Sequence, residues 1–458
     1  MTGVTDPGSF RDPEGFVFLR GGVLYRQINQ SYAPTFDRLE TSGFLNELQR
    51  AGLLVAHERL SADHGSTADA FAVLRPELVP FISYPYESCF GQLRDAALLT
   101  LELQRRALDA GFVLRDASAY NVQFVGGFPV FIDSLSFGVY SEGRPWQAYG
   151  QFCEHFLAPL ALMAEQDPRL GVLQRSFADG IPLEIASRVL GTMTWLRPGL
   201  FLHVHAHARS RKRFARDAAN QRGRTLSLAA LRRLTAHLRE TIEALRLDPK
   251  GTAWADYESD NNYTTAAAAE KREAVRAMLA RTNPATVWDL GANTGVFSAT
   301  APAGVRVIAI DGDHDAVERH YQRVRQQNRL ILPLVMDLGN PSPARGWAHA
   351  ERKSLAERGP ADAVLALALI HHLVFGGCVP LSSVAQWLSG LTRFAIVEFV
   401  PPDDEQVLRL VAGRTEAMHA YSEAEFRRAF DAHFALLETR AVTGSGRVLY
   451  LFEKKIPA

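Results

Sequence analysis

Residues Val287 to Ser298 read VWDLGANTGVFS: an apolar run that ends in an acid, enters a Gly-x-Asn-x-Gly turn and then resumes an apolar helical pattern. A strand feeding a tight turn and a helix is the opening of a parallel α/β unit, and such units bind ligands beyond the carboxyl ends of their strands. Gly291 and Gly295 let the backbone turn sharply and approach a ligand where a Cβ would obstruct it. Asp289 stands at the strand's end. About twenty residues on, Val307 to Ile310 forms a second apolar strand that ends in Asp311, the position from which a carboxylate accepts hydrogen bonds from ribose hydroxyls. The two strands together point to an adenosine ligand.

The turn separates the adenosine cofactors from one another. It lacks the Lys-Ser/Thr of a phosphate-cradling loop and the three-glycine spacing of a dinucleotide fingerprint. The run Asp289-Leu290-Gly291-Ala292-Asn293-Thr294-Gly295 with its acid-ended second strand resembles the first two motifs of class I S-adenosylmethionine-dependent methyltransferases. Further segments follow in order. Val335 to Leu338 resembles the segment whose acid, here Asp337, meets the adenine amino group. Asp362 to His372, Arg393 to Val400 and Gly446 to Lys455 resemble the fourth, fifth and terminal strands of that fold. The resemblance implies an α/β, Rossmann-like sandwich of seven strands over residues 250–458, with an antiparallel terminal hairpin. It also implies that Asp289, Gly291, Asn293, Gly295, Asp311 and Asp337 hold S-adenosyl-L-methionine.

Methyl transfer is an in-line displacement, so the enzyme aligns a nucleophile and, for a hydroxyl or protonated amine, removes a proton. The fourth strand leads into Leu367-Ala368-Leu369-Ile370-His371-His372, not into the Asn/Asp-Pro-Pro-aromatic motif of enzymes acting on planar nitrogens. His371 and His372 are suited to proton abstraction near neutral pH and are the candidate catalytic residues.

The chain has 458 residues, 47% of them hydrophobic, enough for two or three cores. Lys+Arg 50 against Asp+Glu 50 leaves no net charge, so nucleic acid is not an expected partner. The cysteines Cys89, Cys153 and Cys378 are scattered without CxxC spacing, which fits a reducing compartment. An N-terminus rich in Asp6, Arg11, Asp12 and Glu14 does not read as a leader, and no apolar run is long enough to span a bilayer, so a cytoplasmic protein is expected. The acceptor is expected to be a small molecule or a glycan.

Residues 206–249 read as a helical connector, basic at Ser210 to Arg224 and with leucines at helical spacing from Leu226 to Leu247. The alternation His203-Val204-His205-Ala206-His207 reads as an incidental surface run, not a zinc site. Trp254, Tyr257 and Tyr263 could form a lid on the cofactor or staple the connector. Gly346 to Lys353 is a polar insert expected near the adenine side.

Residues 1–205 hold a second constellation. A helix over Gln92 to Ala110 precedes Asp116, four residues, Asn121, a hairpin turning at Gly126-Gly127, and Asp133 shortly before Phe137-Gly138. This order resembles the catalytic loop and metal-binding segment of protein-kinase-like phosphotransferases, with Ile82 to Glu87 near the interlobe hinge. The resemblance implies an α+β kinase-like domain in which Asp116 is the base or substrate-orienting group and Asn121 and Asp133 are metal ligands, with ATP and magnesium as cofactors. The pattern departs from the family in three places. Ser134-Leu135-Ser136 separates Asp133 from Phe137, residues 1–100 contain no lysine, so Arg26 is the substitute for the phosphate-pairing residue, and the glycine-rich loop shrinks to Arg20-Gly21-Gly22. A degenerate kinase-like module that recruits substrate is therefore expected. The alternatives are a bifunctional kinase and methyltransferase modifying a glycan or natural product, and a noncatalytic adenosine-binding scaffold.

Overall fold

The computed structural model describes residues 3–210, 225–247, 265–327, 329–411 and 421–456. Trp254, Tyr257 and Tyr263, and the basic stretch from Arg211 to Arg224, lie outside the described residues. The chain forms two compact units, Met1–Asp248 with Arg345–Arg352, and Pro249–Ala344 with Lys353–Ala458.

The first unit opens with an antiparallel sheet of β1 (Val4–Thr5), β2 (Gly15–Arg20), β3 (Val23–Asn29), β4 (His57–Leu60) and β5 (Ala70–Pro76), in the order β1-β2-β3-β5-β4. Arg20 pairs directly with Val23, so Gly21 and Gly22 are the two central residues of a tight hairpin, both at positive φ. Such turns need φ > 0 at both positions, which glycine supplies without strain. The two glycines therefore have a hairpin to make, whatever else they do.

The helix Phe90–Asp109 buries Phe90, Leu93, Ala97, Leu101 and Leu108 along one stripe. Behind it come β6 (Phe112–Leu114), β7 (Val122–Val125), β8 (Phe128–Phe131) and β9 (Phe137–Val139), paired β6 with β9 and β7 with β8. The β7–β8 hairpin turns at Gly126 and Gly127, both at positive φ. The helix Leu228–Ala244 starts at Ser227, whose hydroxyl accepts from the Ala230 amide, and it packs on Phe90–Asp109, with Arg232 bridging to Asp109 at 2.7 Å. The leucine-spaced stretch thus completes the core of the first unit.

The histidine run is not a surface feature. Residues Phe201–Ala206 form a π-helical turn in which His203 and His205 are fully buried. His203 accepts or donates between the Tyr149 hydroxyl and the His237 ring, each at 2.8 Å, so its burial is compensated by hydrogen bonds that sequence spacing does not reveal.

The second unit is one seven-stranded sheet built from β10 (Thr286–Leu290), β11 (Arg306–Asp311), β12 (Ile331–Val335), β13 (Ala361–Ala366), β14 (Thr392–Phe399), β15 (Phe434–Ala441) and β16 (Val448–Lys454). Their order is β12-β11-β10-β13-β14-β16-β15. The first five are parallel, β16 runs antiparallel to β14, and β15 antiparallel to β16. Val287, Val307, Ala363, Leu365, Ile396 and Leu451 build a core with Val275, Met278 and Leu279 of the helix Thr265–Thr282. The strands read as continuous apolar runs because both faces of a parallel sheet are covered. Chain order reverses at β10, which opens a crevice beyond the carboxyl ends of β10, β11 and β13. No helix among the described residues is long and apolar enough to cross a membrane.

Candidate active site

The turn after β10 is pinned to the neighbouring strand, because the amides of Gly291 and Ala292 donate to the Ile310 carbonyl at 2.8 and 3.0 Å. Gly291, Asn293 and Gly295 all take positive φ, +77°, +49° and +84°. Asn293 tolerates it because its side-chain oxygen accepts from the Thr294 amide at 2.7 Å. The same turn aims the Asn293 amide at the Asp311 carboxylate, 2.7 Å away, while the Asp313 amide meets the other oxygen at 2.8 Å. Asp311 is half-buried, and burial raises its pKa against the pull of these amides. Each carboxylate oxygen keeps a further lone pair for a hydroxyl donor.

The two turn glycines have different reasons to be glycine. A Cβ on Gly291 would rest 3.4 Å from Leu369, an ordinary contact. A Cβ on Gly295 would run into the buried imidazole of His320, on the helix Asp315 belongs to, His314–Gln327. Gly295 is thus required by the packing of helix against turn, a reason internal to the protein.

Asp289 is buried, with the Ser298 hydroxyl donating to it at 2.6 Å. Burial pushes its carboxyl up to about 6, opposed by that hydrogen bond and assisted by the charge of Asp311. It ties the end of β10 to Ser298, just past the turn. Asp337 is exposed after β12 and accepts from the Gly339 amide at 2.8 Å. The Met336 amide donates to the Asp311 carbonyl at 2.8 Å, which ties the Asp337 segment to the end of β11.

His371 and His372 follow β13 with ring centroids 4.2 Å apart. His371 is fully buried, and neither of its ring nitrogens has a hydrogen-bond partner among the described residues. Burial holds it well below the usual imidazole range, with the charges of His372, Arg447 and Lys271 acting in the same direction. Burial likewise brings His372 down to about 4. Both are neutral imidazoles at pH 7.

Sequence reasoning missed the buried charges around them. Lys271, on the helix Thr265–Thr282, meets Glu398 near the end of β14 at 2.7 Å, and both side chains are almost wholly buried. The Lys271 ammonium also lies 4.7 Å from the Phe297 ring centroid. Arg447, just before β16, makes two hydrogen bonds to Asp404 at 2.8 and 3.1 Å. Glu398 had a legible signal, a single acid in the apolar run RFAIVEFV. Lys271 had none, because its partner is 127 residues away.

In the first unit, Arg26 of β3 meets Asp133 at 2.6 Å, while Asp133 also accepts from the Ser136 hydroxyl at 2.7 Å. Asn121 donates to the same Ser136 hydroxyl at 3.4 Å, so Asn121, Ser136, Asp133 and Arg26 are joined. Asp116 is held separately, by the Ser118 amide at 2.9 Å and the Gln151 side chain at 2.8 Å. Among the described residues no group of three or more His, Cys, Asp or Glu is placed to hold a metal ion. The insert after the Asp337 segment belongs, over Arg345–Arg352, to the first unit, where Arg352 lies 4.3 Å from the Tyr120 ring centroid and Glu351 pairs with Arg11 at 2.6 Å.

No family model matches the sequence. It is 37% identical over 459 residues to the nodulation protein NoeA of Rhizobium meliloti (strain 1021), an alignment spanning 98% of this chain and 95% of that one. The chain belongs to the NoeA family. Because the alignment runs through both units, the N-terminal unit is part of what the family shares. Among solved structures, the magnesium protoporphyrin IX methyltransferase of Synechocystis PCC 6803 with bound SAH is 19% identical, with a TM-score of 0.32 over 44% of this chain and 93% of that one. The N-methyltransferase NodS of Bradyrhizobium japonicum WM9 is 14% identical, with a TM-score of 0.32 over 42% and 97%. Monomeric WbdD is 17% identical, with a TM-score of 0.30 over 45% of each chain. The second unit, by its own strand order and its Gly-x-Asn-x-Gly turn, has the methyltransferase-type Rossmann-like fold.

Proposed function

We propose that the second unit is an S-adenosylmethionine-dependent methyltransferase acting on a small molecule or glycan, and that the first is a degenerate kinase-like module that recruits the acceptor. The observation that carries the first part is the Asp311 carboxylate at the end of β11, oriented by the Asn293 and Asp313 amides and left with acceptor capacity beside the sheet's switch point. The donor set suits an adenosine. Asp311 accepts from ribose hydroxyls, Asp337 from the adenine amino group, and the Gly291–Gly295 turn, with Asp289 at the strand end before it, passes beneath the amino-acid end. S-adenosylmethionine, when bound, supplies a sulfonium methyl.

His371 and His372 contribute neutral imidazoles at physiological pH, free to accept a proton from a hydroxyl or an ammonium acceptor, and the burial that keeps them neutral also weakens them as bases. His371 is the one of the two whose ring nitrogens have no partner among the described residues, which leaves both to meet an acceptor. A buried polar atom without a partner is costly, and a ligand that supplies one relieves the cost.

The degenerate reading of the first unit rests on the ion pair between Arg26 and Asp133. The carboxylate that would ligate magnesium is already charge-paired and accepts a hydroxyl, so a metal would compete with a guanidinium for it. Phosphoryl transfer depends on positioning the phosphates, which the tight Arg20–Val23 hairpin is too short to cover.

Calorimetry and labelled-methyl transfer test the reading together. Asp311→Ala should weaken cofactor binding by at least about tenfold through lost charge-assisted hydrogen bonds, while His371→Ala should slow transfer with cofactor affinity retained. Unchanged affinity in the first variant sinks the cofactor site. Brisk phosphate release from ATP and magnesium, abolished in Asp133→Ala, would show the first unit to be an active kinase.

A further inference from the structure

Between Leu183 and Ser210 the chain carries Arg188, Arg197 and Arg209 against one acidic residue, Glu184, although the whole sequence balances 50 basic against 50 acidic side chains. The same stretch exposes Met193 at 71% and Leu196 at 74%, and Val189, Phe201 and Leu202 at more than 40% each. Elsewhere along the described chain, exposed large apolar side chains occur singly or in pairs.

His205 ties together the segments that carry these residues. Its buried imidazole is hydrogen-bonded to the Ser187 hydroxyl at 2.8 Å and the Thr194 hydroxyl at 2.9 Å, and stacks on Trp195 with ring centroids 4.1 Å apart. Three segments are thereby tied together: the helix Leu183–Val189, the turn Thr192–Leu196 and the π-helical turn Phe201–Ala206. Trp195, half-buried, meets Phe201 at 6.2 Å between centroids and carries the Arg209 guanidinium 4.4 Å from its ring. Arg197 is ion-paired with Glu165, which leaves Arg188 and Arg209 as the cations of these segments against the single carboxylate of Glu184.

We propose that this face docks on an anionic lipid surface, lying on the membrane and not crossing it. Protruding apolar side chains, a half-buried tryptophan and flanking arginines are the composition that partitions into the headgroup boundary, where apolar area and attraction to anionic lipid act together. A nucleic-acid surface would need cations without protruding methionine and leucine. A second copy would bring arginines against arginines. The placement would bring the protein to acceptors presented at a membrane.

Sedimentation of the full-length protein with vesicles tests this. Binding is expected to vesicles of phosphatidylcholine containing phosphatidylglycerol and not to phosphatidylcholine alone. The triple variant Met193→Ser, Leu196→Ser, Phe201→Ser should bind at least about tenfold more weakly with an unchanged thermal melt. Should that variant melt early, the pair Arg188→Gln and Arg209→Gln provides a second reading, with the same loss expected. Vesicle binding that survives both variants, or no binding to either vesicle, overturns the proposal. So does a dimer that the triple variant converts to monomer.

Discussion

Gly295 and His320 illustrate how a motif residue can serve the fold as well as a ligand. The glycine sits at φ +84° with the buried His320 ring where its Cβ would go. Gly295→Ala should therefore destabilise the second unit by about 2–4 kcal/mol, combining left-handed backbone strain with overpacking. If the ring is the obstacle, His320→Ala in the same chain should recover part of that loss, leaving the backbone strain. Urea denaturation of the two single variants and the double variant measures it. Purely additive losses would mean that the clash is relieved elsewhere. Gly291, with only ordinary contacts, should show the backbone cost alone.

At the scale of elements, the Lys271–Glu398 pair joins the helix Thr265–Thr282 to β14 through the buried interior. Burial lowers the lysine's pKa, and Glu398 works against that shift by favouring the charged form. Removing one partner leaves an uncompensated buried charge, so Lys271→Met or Glu398→Leu should each cost about 3–5 kcal/mol, whereas the double replacement should be far less costly than their sum. A double-mutant cycle by chemical denaturation gives the coupling. Near-zero coupling would show that water reaches the pair. The Arg447–Asp404 contact joins the residue before β16 to the segment that follows β14, its antiparallel neighbour.

For the molecule as a whole, stability should depend on pH through its buried histidines. Burial holds His155 down at about 4, and His203 and His320 at about 3, against an ordinary imidazole near 6.5. Their folded pKa values are depressed, so the unfolded chain binds protons first. The stability they confer is complete above about pH 7 and falls as the pH drops below 6.5. Each would remove at most about 2 kcal/mol by pH 5. Asp289, raised to about 6, acts in the opposite sense, because the folded state protonates it before the unfolded chain does. The histidines outnumber it, so urea midpoints should fall between pH 7.5 and pH 5. Equal midpoints at the two values would mean that these imidazoles reach solvent.

The sequence by itself determined what is local or periodic. The strand and turn of Val287 to Gly295, the acid ending β11, the helix over Phe90–Asp109 and the hairpin at Gly126-Gly127 are all specified by residues within a few positions of one another, whereas the helix expected after the Gly295 turn forms only as the single 3-10 turn Ser298–Thr300. Turn chemistry and apolar periodicity act over that range, so they can be read without the fold. Only tertiary structure decided the rest. It paired Lys271 with Glu398 and Arg26 with Asp133, set His320 beneath Gly295, and buried a histidine run whose spacing suggested a surface. Each of these depends on side chains brought together from distant segments. A charge or an imidazole enters a protein interior only when such a partner, or close packing, offsets the loss of water.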